Sequence, residues 1–225
     1  MSNGNLLFNS GHKLPQLGFG TFAVEVAISS GFRRIDCSMI YGNEKEVDEK
    51  TFSLLRRYSL HIWDCLLSEC SFACELSIKN LGVQYLGLYL IHHPVSFQIK
   101  EGMTFNVSDP SSLVFEYHEL EDTWKAMKEL VSAGHVKSIG VSNFNKRQIE
   151  RILASCTIPP AVNQVEVNIH WLNTKLVGFR HSKNIEVEGY GPLGSPGTKK
   201  YVCVYRHCQL IGRLGFKLAH LAHCW

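Results

Sequence analysis

The sequence contains no uninterrupted apolar run of the roughly 18 residues that a bilayer-spanning helix needs, so no transmembrane helix is expected. Nor does one sign of charge dominate. Lys and Arg number 23 against 20 Asp and Glu, a net charge of +3 over 225 residues. That balance, with no long basic run, excludes a charge-driven binder of nucleic acid or membrane surface as the default reading. The opening MSNGNLLFNSGHKLPQ lacks a basic patch followed by an apolar core, which is the pattern of a secretory signal. Eight cysteines are too dilute for a disulfide scaffold of this length, and without a signal they are expected to be reduced. Internal repeats and low-complexity tracts are also missing. What is present is an ordinary globular composition, 45% hydrophobic and 19% charged, of a size for one good-sized domain or two small ones. The expectation is a cytoplasmic monomer.

Short apolar, β-prone runs alternate with stretches of helical period. Strands are predicted at 16–22 (QLGFGTF), 32–37 (FRRIDC), 85–92 (YLGLYLIH), 136–142 (VKSIGVS), 161–167 (AVNQVEV) and 185–190 (IEVEGY). Helices are predicted at 23–30, 43–58, 65–81, 119–133 and 146–155. YLGLYLIH is apolar nearly throughout, as a strand covered on both faces must be. Glycine follows a helix end at Gly31, Gly82 and Gly134, where a left-handed turn leads back to the next strand. Asn145 is placed to cap the helix that begins at Lys146. This alternation predicts a parallel α/β sheet, open or closed into a barrel. A long polar loop, 98–112, follows the strand ending at His92, and loops at that end of a strand tend to carry function.

In such folds catalytic groups gather at the C-terminal ends of the strands. The polar residues predicted there are Thr21; Asp36 with Tyr41; His92 with His93; Ser142 with Asn143; Gln164 with Glu166; and Tyr190. An acid, a phenol, an imidazole and several amides arriving from different strands suit the reduction of a carbonyl group. The oxygen of a hydride acceptor must be protonated, which a Tyr hydroxyl beside a His donor can do. Amides can fix a nicotinamide carboxamide, and a flat aromatic can stack on the ring. Each residue also has a plainer role. His92 could be a structural histidine, Ser142-Asn143 a strand-to-helix cap, and Gln164 with Glu166 buried polar ties. A zinc module is a competing constellation, because Cys203, Cys208, His220 and His223 nearly match finger spacing. The later intervals are short, however, and Arg213-Leu214-Gly215 interrupts the helix a finger requires, so no metal is expected. Cys65, Cys70 and Cys74 fall near one helix face and read as core.

Five segments sharpen this reading: GFRRIDCSMIYGNEKEVDE (31–49), YLGLYLIHHP (85–94), MKELVSAGHVKSIGVSNF (127–144), PAVNQVEV (160–167) and EGYGPLGSP (188–196). Together, and in this order, they closely resemble the aldo-keto reductase family. The opening LLFNSGHKLPQLGFGTF is similar to the family's N-terminal hairpin and first strand. The resemblance implies an α/β fold, a (β/α)8 TIM barrel, that uses NADPH to reduce aldehydes and ketones. By motif, Tyr41 matches the proton donor, Asp36 the acid that tunes it and His92 the histidine that orients the substrate carbonyl. Ser142, Asn143 and Gln164 match the groups that hold the nicotinamide carboxamide, and Tyr190 the aromatic stacked on that ring. Leu193 and Ser195 match contacts to the pyrophosphate, Thr21 a residue near the nicotinamide ribose, and His93 a position that lines the substrate pocket.

The chain also departs from the family pattern. The resemblance implies a lysine at the end of the third strand, and 51–73 offers no match. The interval from Tyr41 to His92 is roughly ten residues short of what a complete barrel provides. A second shortening follows Phe22. Beyond Gly197 the resemblance stops, so none of the groups that grip the 2′-phosphate of NADPH can be matched. About six strands are recognisable, in a chain shorter than the ~250 residues typical of the fold. The expectation is a shortened reductase domain over 1–196 with a divergent segment at 197–225. Reduction would be weakened, alcohol oxidation weakened further, and the preference for NADPH over NADH blunted. The alternative is a non-catalytic or unstable partial barrel.

Overall fold

Leu88, Tyr89, Leu90 and Ile91 form a strand buried along its whole length, and its neighbours are ordered around it. The computed structural model describes residues 5–16, 18–20, 34–51, 58–62, 67–97, 115–168 and 171–192. In chain order these hold β1 (Asn5–Leu7), β2 (Lys13–Pro15), β3 (Phe19–Gly20), β4 (Ile35–Ser38), α1 (Glu44–Thr51), β5 (Tyr58–Ile62), α2 (Leu67–Asn80) and β6 (Leu88–Ile91). After them come β7 (Ser96–Phe97), β8 (Phe115–Glu116), α3 (Leu120–Ser132), β9 (Ile139–Ser142), α4 (Lys146–Ser155), β10 (Val162–Glu166), α5 (Thr174–Ser182) and β11 (Glu186–Tyr190). A 3-10 turn, Met39–Tyr41, follows β4 directly. The predicted helix 23–30, the loop 98–112 and the segment 197–225 with its Cys and His spacing lie outside the described residues.

Seven strands form one sheet in the order β11-β10-β9-β6-β5-β4-β3, and every pair in it is parallel. Two side-chain contacts reveal its curvature. Gln164 on β10 donates from Nε2 to Asp36 Oδ2 on β4 at 3.0 Å. Those strands are four steps apart, about 19 Å in a flat sheet at ~4.8 Å per step. Arg34, just before β4, forms an ion pair with Glu188 on β11, five steps away. Only a sheet curled on itself brings these groups together, and that curl is the barrel.

Alternation sorts the side chains into two layers. Tyr89 and Ile91 pack outward in a core that includes Cys70 and Cys74 of α2 and Trp124 and Met127 of α3. Leu88 and Leu90 belong to a second cluster with Ala161, Val162, and Phe8 and Leu14 of the N-terminal hairpin. That hairpin, β1 paired antiparallel with β2, closes the end of the barrel where the strands begin. Asn9 Nδ2 donates to the Pro160 and Asn184 carbonyls, and Ser10 Oγ meets Ser138 Oγ at 2.8 Å. Gly140 is required by the tight inner layer. A Cβ there would lie 2.6 Å from Leu90 Cδ2 and 2.7 Å from the Val162 carbonyl oxygen.

The strand and helix expectations are met at most elements, with two corrections. Of the helix expected over 43–58, Glu44–Thr51 is helical among the described residues, and Tyr58 opens β5, a seventh parallel strand where about six were expected. Leu54, Leu55 and Tyr58 repeat at helical spacing and masked the β-prone YSLHI run. Helix α5 was not anticipated. It has Gly178 in its middle, and Asn173 before it makes no side-chain cap. Buried in that region, Arg180 reaches the Phe144 carbonyl from Nη2 at 3.4 Å, while its Nε and Nη1 meet no partner among the described residues. Burial pulls its guanidinium down to about 10.

Candidate active site

Because the seven strands are parallel, their C-terminal ends share one rim. Asp36 and Ser38 lie on β4, Tyr41 ends the turn after it, and His92 directly follows β6. Ser142 is the last residue of β9, with Asn143 next, and Gln164, Glu166 and Tyr190 arrive on β10 and β11. The tight turn at Tyr41 closes on Gly42, whose φ of 66° is left-handed and natural for glycine. Asn143 has a φ of 61°, a conformation that asparagine tolerates better than most residues.

A connected polar network joins these groups. Gln164 Nε2 donates to Asp36 Oδ2, and Ser142 Oγ donates to the Gln164 carbonyl at 3.0 Å. The Asn143 N–H donates to that same carbonyl at 2.8 Å. Tyr190 donates its hydroxyl to Asn143 Oδ1 at 2.9 Å. Asn143 Nδ2 donates to the His92 carbonyl at 2.9 Å and lies 3.2 Å from Ser142 Oγ and 3.3 Å from His93 Nε2. His92 Nδ1 lies 3.3 Å from Ser38 Oγ, and its ring stacks on that of His93 with centroids 5.1 Å apart. Asn168 Nδ2 donates to Glu166 Oε1 at 2.9 Å. Ser38 and Asn168 are members that sequence reasoning missed. Their role is to hold other polar groups, for which a single sequence carries no spacing signal.

The electrostatics favour a protonated phenol. Tyr41 is 40% exposed, yet its pKa is pushed up to about 12 by desolvation first, then by Asp36, Cys37 and Tyr190. Tyr190 is also raised, by burial and then by Glu166. At neutral pH both hydroxyls can therefore donate. Asp36, Tyr41, His92, His93, Ser142, Asn143, Gln164 and Tyr190 all gather on the rim, whereas Thr21, Leu193 and Ser195 lie outside the described residues. Lys137 sits over the Tyr85 ring at 4.5 Å before β9 begins, away from this rim.

Comparison with known proteins agrees with this geometry. The profile described as Aldo/keto reductase family matches residues 68–204, more than half of the chain. The chain belongs to the aldo-keto reductase family. An aldo-keto reductase family 1 member A1 of Xenopus tropicalis is 36% identical over 210 residues, covering 83% of this chain and 63% of that protein. An aldo/keto reductase of Synechocystis is 38% identical over 207 residues, with the same two shares. Among solved structures, the aldose reductase from Schistosoma japonicum superposes with a TM-score of 0.79 at 36% identity. That match covers 93% of this chain and 75% of the other. The chain thus spans 63% of the length of the two curated relatives named first.

As an aldo-keto reductase the chain keeps the barrel and changes its third parallel strand. That strand is β5, which contains no lysine, and residue 61, in register with Ser38 and Leu90, is a histidine. The chemistry of the rim suits a nicotinamide. Two carboxamides, Asn143 and Gln164, and the Ser142 hydroxyl offer paired donors and acceptors beside the Tyr190 ring. Among the described residues no group of three or more His, Cys, Asp or Glu is arranged to hold a metal, and no helix is long and apolar enough to cross a membrane.

Proposed function

We propose that this chain reduces aldehydes and ketones to alcohols with NADPH, with Tyr41 as proton donor. The observation that carries the reading is the convergence, on one barrel rim, of a phenol raised to about 12 with Asp36, His92 and the Asn143–Gln164–Tyr190 network. Bound NADPH would supply a hydride from its nicotinamide ring. Ser142, Asn143 and Gln164 would hold the carboxamide of that ring, and Tyr190 would lie against its face. Tyr41 would hand its hydroxyl proton to the carbonyl oxygen as negative charge develops there. His92, steadied through Nδ1 by Ser38, would orient that oxygen. The substrate is a small carbonyl compound, and His93 borders its pocket.

A phenol with so high a pKa remains a donor across the neutral range, so reduction keeps its acid. The reverse direction needs phenolate as base and is disfavoured by the same desolvation, and then the Asp36 carboxylate, that raise the pKa. Oxidation of alcohols is therefore expected to rise with pH while reduction stays level through pH 9. Saturable quenching of tryptophan fluorescence by NADPH, followed by aldehyde turnover, tests the reading. Tyr41→Phe is expected to keep cofactor binding and lower kcat about 10²- to 10⁴-fold. Binding that never saturates at millimolar cofactor would favour the second reading, a barrel without catalysis.

A further inference from the structure

We propose that His93 is a positioning residue for Asn143, and that only its neutral form, with the proton on Nδ1, sets the Asn143 carboxamide. The reasoning starts from Asn143. One end of its amide faces the His92 carbonyl at 2.9 Å, and a carbonyl can only accept. The atom there is therefore the nitrogen, which agrees with Oδ1 accepting from the Tyr190 hydroxyl on the other side. The same nitrogen lies 3.3 Å from His93 Nε2. Ser142 Oγ is 3.2 Å from it as well, so its two hydrogens serve three neighbours. Since an NH2 group cannot accept, His93 Nε2 can join this set only as an acceptor without a hydrogen, sharing one N–H with Ser142.

Protonating His93 would place an N–H against an NH2 and leave Asn143 without that acceptor. It would also put a cation face to face with the His92 ring, at 5.1 Å and 19° between planes. Other titratable groups of this rim are His92 beside it, Tyr190 and Glu166 beyond Asn143, and Asp36 and Tyr41 across Gln164. The Asn143 side chain is held by His92, His93, Ser142 and Tyr190. Acid would therefore loosen the amide that the proposed function assigns to the nicotinamide carboxamide, and the affinity consequence rests on that assignment.

The test is the Kd of NADP+, followed by tryptophan fluorescence from pH 8 to 5.5, for the wild type, His93→Phe and His93→Gln. Glutamine offers an acceptor that does not titrate. The 2′-phosphate of the ligand titrates near pH 6 in every case, so the signal is the difference between variants. Wild-type Kd is expected to rise about fivefold more than that of His93→Gln, roughly the worth of one hydrogen bond. His93→Phe should bind about fivefold more weakly than His93→Gln at pH 8 and show no added acid dependence. Equal pH dependence in wild type and His93→Gln would overturn the proposal. NMR titration of His93 without ligand separates this from failure of the cofactor reading. His93 should take up its proton at higher pH in Asn143→Ala than in the wild type. An unchanged pKa overturns the proposal even if NADP+ binds, whereas absence of NADP+ binding in every protein would overturn the cofactor assignment alone.

Discussion

Arg180 brings a guanidinium into a fully buried position with one long hydrogen bond among the described residues. Charge without a counter-ion is costly there, which is why burial draws its pKa down to about 10. Methionine fills a similar volume with no polar atom, so Arg180→Met is expected to raise stability by about 1–3 kcal/mol. A urea midpoint that fell instead would mean the arginine has a partner that repays it. A second residue-scale prediction concerns Tyr41. Desolvation first and then Asp36 oppose ionisation of the phenol, so Asp36→Asn should lower the Tyr41 pKa from about 12 while leaving it above the ordinary value of 10. Ultraviolet titration of phenolate absorbance, read against Tyr41→Phe to isolate this tyrosine, checks the direction. At this scale the sequence was most legible where a residue acts by its own chemistry. Asp36, Tyr41 and His92 sit at strand ends as expected, whereas Ser38 and Asn168 act only through neighbours brought by the fold.

Helix α4 is the element whose boundaries could be read residue for residue. Asn145 accepts from the Gln148 N–H at 3.1 Å, and Gln148 Oε1 accepts from the Asn145 N–H at 2.9 Å, a reciprocal capping box. Asn145→Ala should cost about 1 kcal/mol and lower Tm by roughly 2–4 °C, measured by circular dichroism. Gly82 and Gly134 were also legible, and both take the left-handed φ that returns the chain from helix to strand. Strand β5 and helix α5 were not, for opposite reasons. In β5 a short strand borrows the helical spacing of the residues before it. In α5 tertiary packing overrides a mid-helix glycine and an uncapped start. Propensity alone decides neither.

At the scale of the whole molecule, the ion pair between Arg34 and Glu188 ties β11, at the end of the sheet, to the entry of β4. Arg34 also donates to the Pro15 carbonyl at 3.1 Å, so one side chain joins the hairpin plug to both walls. Arg34→Met would strand the Glu188 carboxylate and is expected to cost about 3 kcal/mol. The double variant Arg34→Met/Glu188→Leu should recover most of that loss in equilibrium unfolding. Equal losses in single and double variants would mean that the charges are not coupled. Barrel, rim and family were readable because each rests on local signals repeated along the chain. Closure was not, because it depends on pairs such as 36 with 164 that no local window contains.

That pair has a consequence during synthesis. Arg34 and Glu188 are 188 − 34 = 154 positions apart, which a ribosome covers in roughly 8–30 s at ~5–20 residues per second. For that interval the nascent chain carries Arg34 without the Glu188 carboxylate that it meets in the folded barrel. The tie between the entry of β4 and β11 cannot form until Glu188 emerges. Vectorial folding of this chain therefore leaves that tie unmade until β11, the last of the described strands, has been synthesised.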